Sequence, residues 1–258
     1  MTDRYRFLVQ NTAFRAIACG ALALFLAGCG SAAYEEKAKK AVSAAAKSEG
    51  YLALAPAATL GDTPVAIRLP NALGSTPLVE TSADPDTPGT AIAPNRLRPT
   101  SMQQVPGFVF TLESRVENDQ KATVPVSCAI WAVEEGKFNK NLVLNSIAAK
   151  VKQESPDSGG WQSVTATGPN GETSEWKQMS ASGQKDVPVK QVQNGEVKTE
   201  KVDEDLEIWV HEPEASDKSK YYVLLAYRAP TSVANKFSIS SLAPLAAGTI
   251  QIGAGAEK

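Results

Sequence analysis

Two Asn-Gly pairs, Asn170-Gly171 and Asn194-Gly195, each stand between runs of β-type residues. Asn-Gly supplies the two positive φ angles of a tight hairpin turn, so each pair so flanked specifies an antiparallel hairpin. The first joins 161–167 to 172–179, and the second joins 187–193 to 196–202. Beyond them Leu206, Ile208 and Val210 alternate with Glu207, Trp209 and His211, as in a half-buried strand. Residues 221–227, Tyr-Tyr-Val-Leu-Leu-Ala-Tyr, are apolar throughout and predict a strand covered on both faces. Upstream, 108–116 alternates and 124–133 reads as a further strand, with Pro125 marking a beginning or an edge.

Helical periodicity is confined to two places. Leu144, Ile147, Ala148 and Val151 follow the i, i+3, i+4, i+7 rule and predict an amphipathic helix over 141–153, stopped by Pro156 and Gly159-Gly160. Residues 239–247 predict a short last helix, limited by Pro244. Segregated strands and helices imply an α+β fold: an antiparallel sheet with one long amphipathic helix and a short C-terminal helix. The head is expected over 64–250, opening with a short strand at 64–69. It contains a Pro-rich loop at 71–105 and leads to a flexible Gly- and Ala-rich tail at 251–258. Residues 31–50 are mostly Ala, Glu, Lys and Ser, strong helix formers in part but with little apolar surface. Residues 29–63 are therefore expected to be a helical or flexible tether.

The first 28 residues are of another kind. Arg4, Arg6 and Arg15 face one acid, Asp3, and an apolar stretch runs from Ala16 to Ala27. A basic start and a short apolar core make a secretory signal. The core falls short of the ~20 residues that a membrane-spanning helix needs. It ends Leu26-Ala27-Gly28-Cys29, which resembles the lipobox of bacterial lipoprotein precursors. The resemblance implies cleavage between Gly28 and Cys29, a diacylglyceryl group on the Cys29 thiol, further acylation such as palmitate, and membrane lipid as the first partner. Gly30 and Ser31 follow where an Asp would mark inner-membrane retention in Gram-negative lipoproteins. The expected place is therefore the cell envelope, on the outer membrane facing the periplasm.

Composition narrows the chemistry. The whole chain carries −2 and the leader +2, which leaves about −4 after cleavage. No nucleic-acid partner is expected at that charge. Cys19 lies in the leader and Cys29 is the acylation site, so Cys128 alone remains and no internal disulfide can form. With one histidine, His211, a zinc site of histidines and cysteines is nearly excluded, and no spaced acidic calcium loop is present. No cofactor and no metal are expected.

The strand at Pro64–Pro70, the strand near Val126–Val133, the helix after Asn141 and the closing meander resemble, in their order, the PsbP-like α/β/α fold. That resemblance implies a binding or assembly accessory. Asp157-Ser158-Gly159-Gly160 resembles the nucleophile loop of chymotrypsin-like proteases, but Pro156 and Trp161 replace its flanks and the only histidine follows the serine. It is read as a turn. His211 beside Glu212 is read as an exposed surface residue, Cys128 as inert core, and the acidic run at 200–205 as a solvated hairpin end. Trp161, Trp176 and Trp209 are the candidate binding residues: on one solvent face they would form a ligand or partner platform, and otherwise they pack in the core. The expected function is a non-enzymatic, membrane-anchored envelope lipoprotein whose head binds a protein or cell-wall partner. The alternatives are a small-ligand carrier with an apolar pocket, or a hydrolase.

Overall fold

The computed structural model describes residues 50–74, 98–191, 195–214 and 220–253. The leader, Cys29, most of the expected tether, the centre of the Pro-rich loop, Asn194 and the last five residues lie outside the described residues. Chain order gives β1 (Ala58–Thr59), β2 (Val65–Ile67), β3 (Phe108–Glu117), β4 (Ala122–Glu134), α1 (Lys140–Glu154), β5 (Gln162–Thr167), β6 (Thr173–Gln191), β7 (Val197–His211), β8 (Tyr221–Pro230), α2 (Ile239–Ala247) and β9 (Gln251–Ile252). The fold is mixed α+β, rich in antiparallel strands.

Six strands pair antiparallel in the order β3-β4-β8-β7-β6-β5. β8, apolar over 221–227, lies inside this sheet, as that run requires. Val223, Leu225 and Tyr227 face one apolar cluster, while Tyr222, Leu224 and Ala226 face another. The first cluster is covered by α2 and by a small antiparallel sheet in the order β1-β2-β9. The second is covered by α1 and by residues 101–105, with Met102 fully buried. Three layers result.

Local chemistry sets α1. The Asn139 side chain caps its N-terminus by accepting the Leu142 N–H at 3.2 Å. Leu144, Ile147 and Val151 form its buried stripe. Cys128 is fully buried in β4, and burial pushes its thiol pKa up, as expected of an inert core cysteine.

The boundaries differ from the sequence expectation at both ends. Residues 50–63 belong to the head rather than the tether, because Tyr51, Leu54 and Leu60 are buried. Residues 98–105, assigned to the loop, pack beside α1. The tail begins later than expected, since β9 pairs with Val65 and Ala66. The hairpins are also longer: the two segments expected at 172–179 and from 187 fall in the single strand β6, and those expected at 196–202 and 206–211 fall in β7, in unbroken register from Trp176↔His211 to Lys190↔Val197. The polar run 180–186 gives no strand signal by itself, and pairing along β7 extends it.

Gly248, just past α2, fits closely against the β5–β6 hairpin. A Cβ there would stand 2.3 Å from the Thr167 carbonyl oxygen. The Tyr51 hydroxyl donates to that same oxygen. Gly248→Ala is therefore expected to lower stability by about 1–3 kcal/mol in urea denaturation. An unchanged midpoint would show that the contact yields freely.

Candidate functional site

The long β6–β7 ribbon turns over along its length. Met179, Ala181, Leu206 and Ile208 lie on one of its faces and pack into the cluster beneath α1. Val187, Val189 and Val202 lie on the same face by register, yet pack into the opposite cluster. The pairing agrees: near its start β6 borders β5, but at its end Lys190 and Gln191 pair with Thr123 and Ala122 of β4. Two-stranded ribbons twist more strongly than wide sheets, and this one does so where β8 ends at Pro230, opposite Glu204. Pro125 sits in the gap so formed. β4 pairs with β8 only from Ser127 onward and with β6 only at 122–123, so the missing N–H of Pro125 interrupts neither ladder.

At the crossing lies a buried ion pair. Arg228 Nε donates to Glu204 Oε2 at 2.9 Å, and a second guanidinium nitrogen reaches the same oxygen. Glu204 is only 7 % exposed. It belongs to the acidic run expected to be solvated, and the structure corrects that expectation, because its register puts it on the inner face of the ribbon. Gly183, its partner in the ladder, lies against the end of α1: a Cβ there would be 3.1 Å from Ser155 Oγ.

A cleft of ≈ 220 Å³ opens beside this pair. It is bounded by Arg98 and Thr100 of the 98–105 segment, Glu154 at the end of α1, Lys185 of β6, and the Arg228–Glu204 pair. Lys185 Nζ meets Glu154 Oε2 at 3.0 Å. The Arg98 guanidinium stacks on the Phe108 ring, 4.2 Å from its centroid. With Asp186 the lining holds three cations and three anions. Such a cleft is suited to polar recognition by exchange of ion pairs. Its hydroxyls, Thr100 and Ser155, have no imidazole beside them in the lining.

The residues singled out from sequence are placed elsewhere. Trp176 and Trp209 are 2 % and 3 % exposed and stack edge to face in the first cluster, 6.2 Å between centroids. Their indole N–H groups bond Ser174 Oγ at 2.9 Å and Glu207 Oε2 at 3.1 Å. Trp161 is half-buried against the second cluster and donates to the Leu144 carbonyl at 3.1 Å. The three do not share a solvent face, so the condition for a platform is not met, and Trp176 and Trp209 pack in the core. Alternation placed Trp176 and Trp209 on strands correctly, but the face they take is inward; Trp161 falls just before β5 rather than on a strand.

His211 is buried rather than exposed, 3.1 Å from the Glu175 carbonyl oxygen through Nδ1 and 5.1 Å from the Trp176 ring. Glu212 turns to Lys140 and to Lys177, the latter at 3.0 Å. Partial burial opposes ionisation of Glu212, but the two lysines outweigh it and hold the carboxyl below its usual range. Ser158 closes the turn after α1 through its N–H to the Ser155 carbonyl at 2.9 Å, consistent with the turn reading. Among the described residues no group of three His, Cys, Asp or Glu side chains is placed to hold a metal ion.

Sequence reasoning missed Arg98, Lys185, Glu204 and Arg228. One signal was available: an arginine in an otherwise apolar inner strand demands a carboxylate partner. Arg228→Met strands Glu204 without its cation and is expected to cost about 3–5 kcal/mol. Adding Glu204→Leu should recover most of that loss in the same denaturation assay. A single-variant cost of a few tenths would mean the pair is solvated. No family model and no curated protein matches the chain.

Proposed function

We propose that the chain is an envelope lipoprotein, anchored through acylated Cys29, whose head binds a protein or cell-wall partner without chemistry. The observation that carries this reading is Leu26-Ala27-Gly28-Cys29 after a basic and then apolar leader. One acyl chain binds a membrane only marginally, whereas two or three hold firmly. The lipobox chemistry supplies that number. Gly30 and Ser31 favour the outer membrane, facing the periplasm. No described helix is long and apolar enough to cross a membrane.

Two features support a binding head. The one histidine and the one cysteine outside the leader and lipobox, His211 and Cys128, are both enclosed in the core. The cleft beside the Arg228–Glu204 pair is bounded by charged groups, which suits a polar group of a partner better than the apolar cargo of a carrier. We read the three-layer arrangement as kin to the PsbP-like α/β/α fold, in which accessory binding is common.

The test is metabolic labelling with a radioactive fatty acid in cells making the wild type or Cys29→Ser. Label is expected on the wild type and absent from the variant. Equal label on both, or none on either, would overturn the anchor.

A further inference from the structure

Four edge stretches of the main sheet have no further strand beside them among the described residues: β3, β5, β6 from Met179 to Val189 (which carries Lys185, Asp186 and Pro188), and β7 beyond the end of β8. β3 carries Glu113, Arg115 and Glu117. The open part of β7, 197–203, carries Lys198, Glu200, Lys201 and Asp203. Charge along an edge deters pairing with another chain. β5, Gln-Ser-Val-Thr-Ala-Thr, has no charge and no proline, and Gln162, Ser163 and Thr165 are exposed.

Its outward groups follow from the hairpin. The Gly168 N–H donates to the Glu172 carbonyl at 2.6 Å. Antiparallel ladders alternate, so Ala166, Val164 and Gln162 turn their main-chain groups toward β6, while Thr167, Thr165 and Ser163 turn theirs outward. The Tyr51 hydroxyl, which reaches the Thr167 carbonyl, agrees with this. Tyr51 and Gly248 cover that end of the edge. The main-chain groups of Ser163 and Thr165 have no bond to another described residue.

We infer that β5 pairs antiparallel with β5 of a second copy, about a two-fold axis at Val164. The open residues are symmetric about Val164, so each Ser163 meets the other copy's Thr165 and both sets of donors and acceptors are satisfied together. Val164 then faces its own counterpart. No like charges meet in this pairing. The contact of one short strand is well below the ~1,200 Å² of a stable interface, so it is weak in dilute solution. The inference rests on the anchored reading, since confinement of both copies to one bilayer raises their effective concentration.

The test uses the full acylated chain in membranes. Residues facing each other across a non-bonded antiparallel pair have Cα atoms ~4.5 Å apart, within disulfide reach. Val164→Cys, oxidised with copper phenanthroline, is expected to give a covalent dimer. Adding Thr165→Lys should abolish it, and Lys198→Cys should stay monomeric. Absence of the dimer in membrane-bound, protease-resistant Val164→Cys protein overturns the inference. Sedimentation of the otherwise unmodified protein in detergent at rising concentration avoids any change in the core. Self-association at least tenfold weaker in Thr165→Lys is expected, and equal behaviour of the two overturns the pairing. A chain that takes up no fatty acid sinks the anchor alone, because the sedimentation comparison still reads the edge.

Discussion

An arginine in the inner strand of a sheet must meet a carboxylate, and this requirement shapes the middle of the head. Arg228 finds Glu204, buried at the point where β8 stops. Removing such a pair from water is costly, and hydrophobic replacements of similar shape often do as well or better. Its value here is positional. It lies where one face of the β6–β7 ribbon passes from the cluster under α1 to the cluster on the other side of the sheet. A polar joint between two apolar surfaces fixes where the crossing occurs.

The cleft is a consequence of that crossing. The ribbon leaves the sheet, α1 ends at Glu154, and residues 98–103 close the remaining side, so charged groups from four parts of the chain line one opening. Val187 and Val189 then reach Val124 and Val126 beyond the end of β8. The leader and the head thus serve separate ends in the proposed account. In it acylation would place the protein, while the head offers a polar cleft and one uncharged edge strand, β5.

Much of the fold was legible in the sequence because it depends on local rules. The period of Leu144, Ile147 and Val151 marked α1, and the apolar run of β8 marked an inner strand. Asn-Gly marked where the hairpins turn, although at the first one only Gly171 takes a positive φ and the loop is the three residues 169–171. What escaped depends on distant partners. The run Ser180–Asp186 has no strand pattern of its own and is ordered by β7. Tyr51 and Leu54 read as tether because the Ala246 surface that covers them lies almost two hundred residues later. Alternation placed Trp176 and Trp209 on strands but could not say which face was inward, since both faces of this sheet are covered. The same holds for Glu204, whose acidic neighbours suggested solvent while its register turned it inside.

The account gives the Arg228–Glu204 joint a specific task, which native-state amide hydrogen exchange can read residue by residue. Comparing the wild type with Glu204→Gln, we expect protection to fall together at the far half of the ribbon, 184–202, and at Ala122 and Thr123, with β8 and the Met179–Ile208 region unchanged. Uniform loss across the sheet, or no loss at the far half, would contradict the claim that this pair holds the crossing.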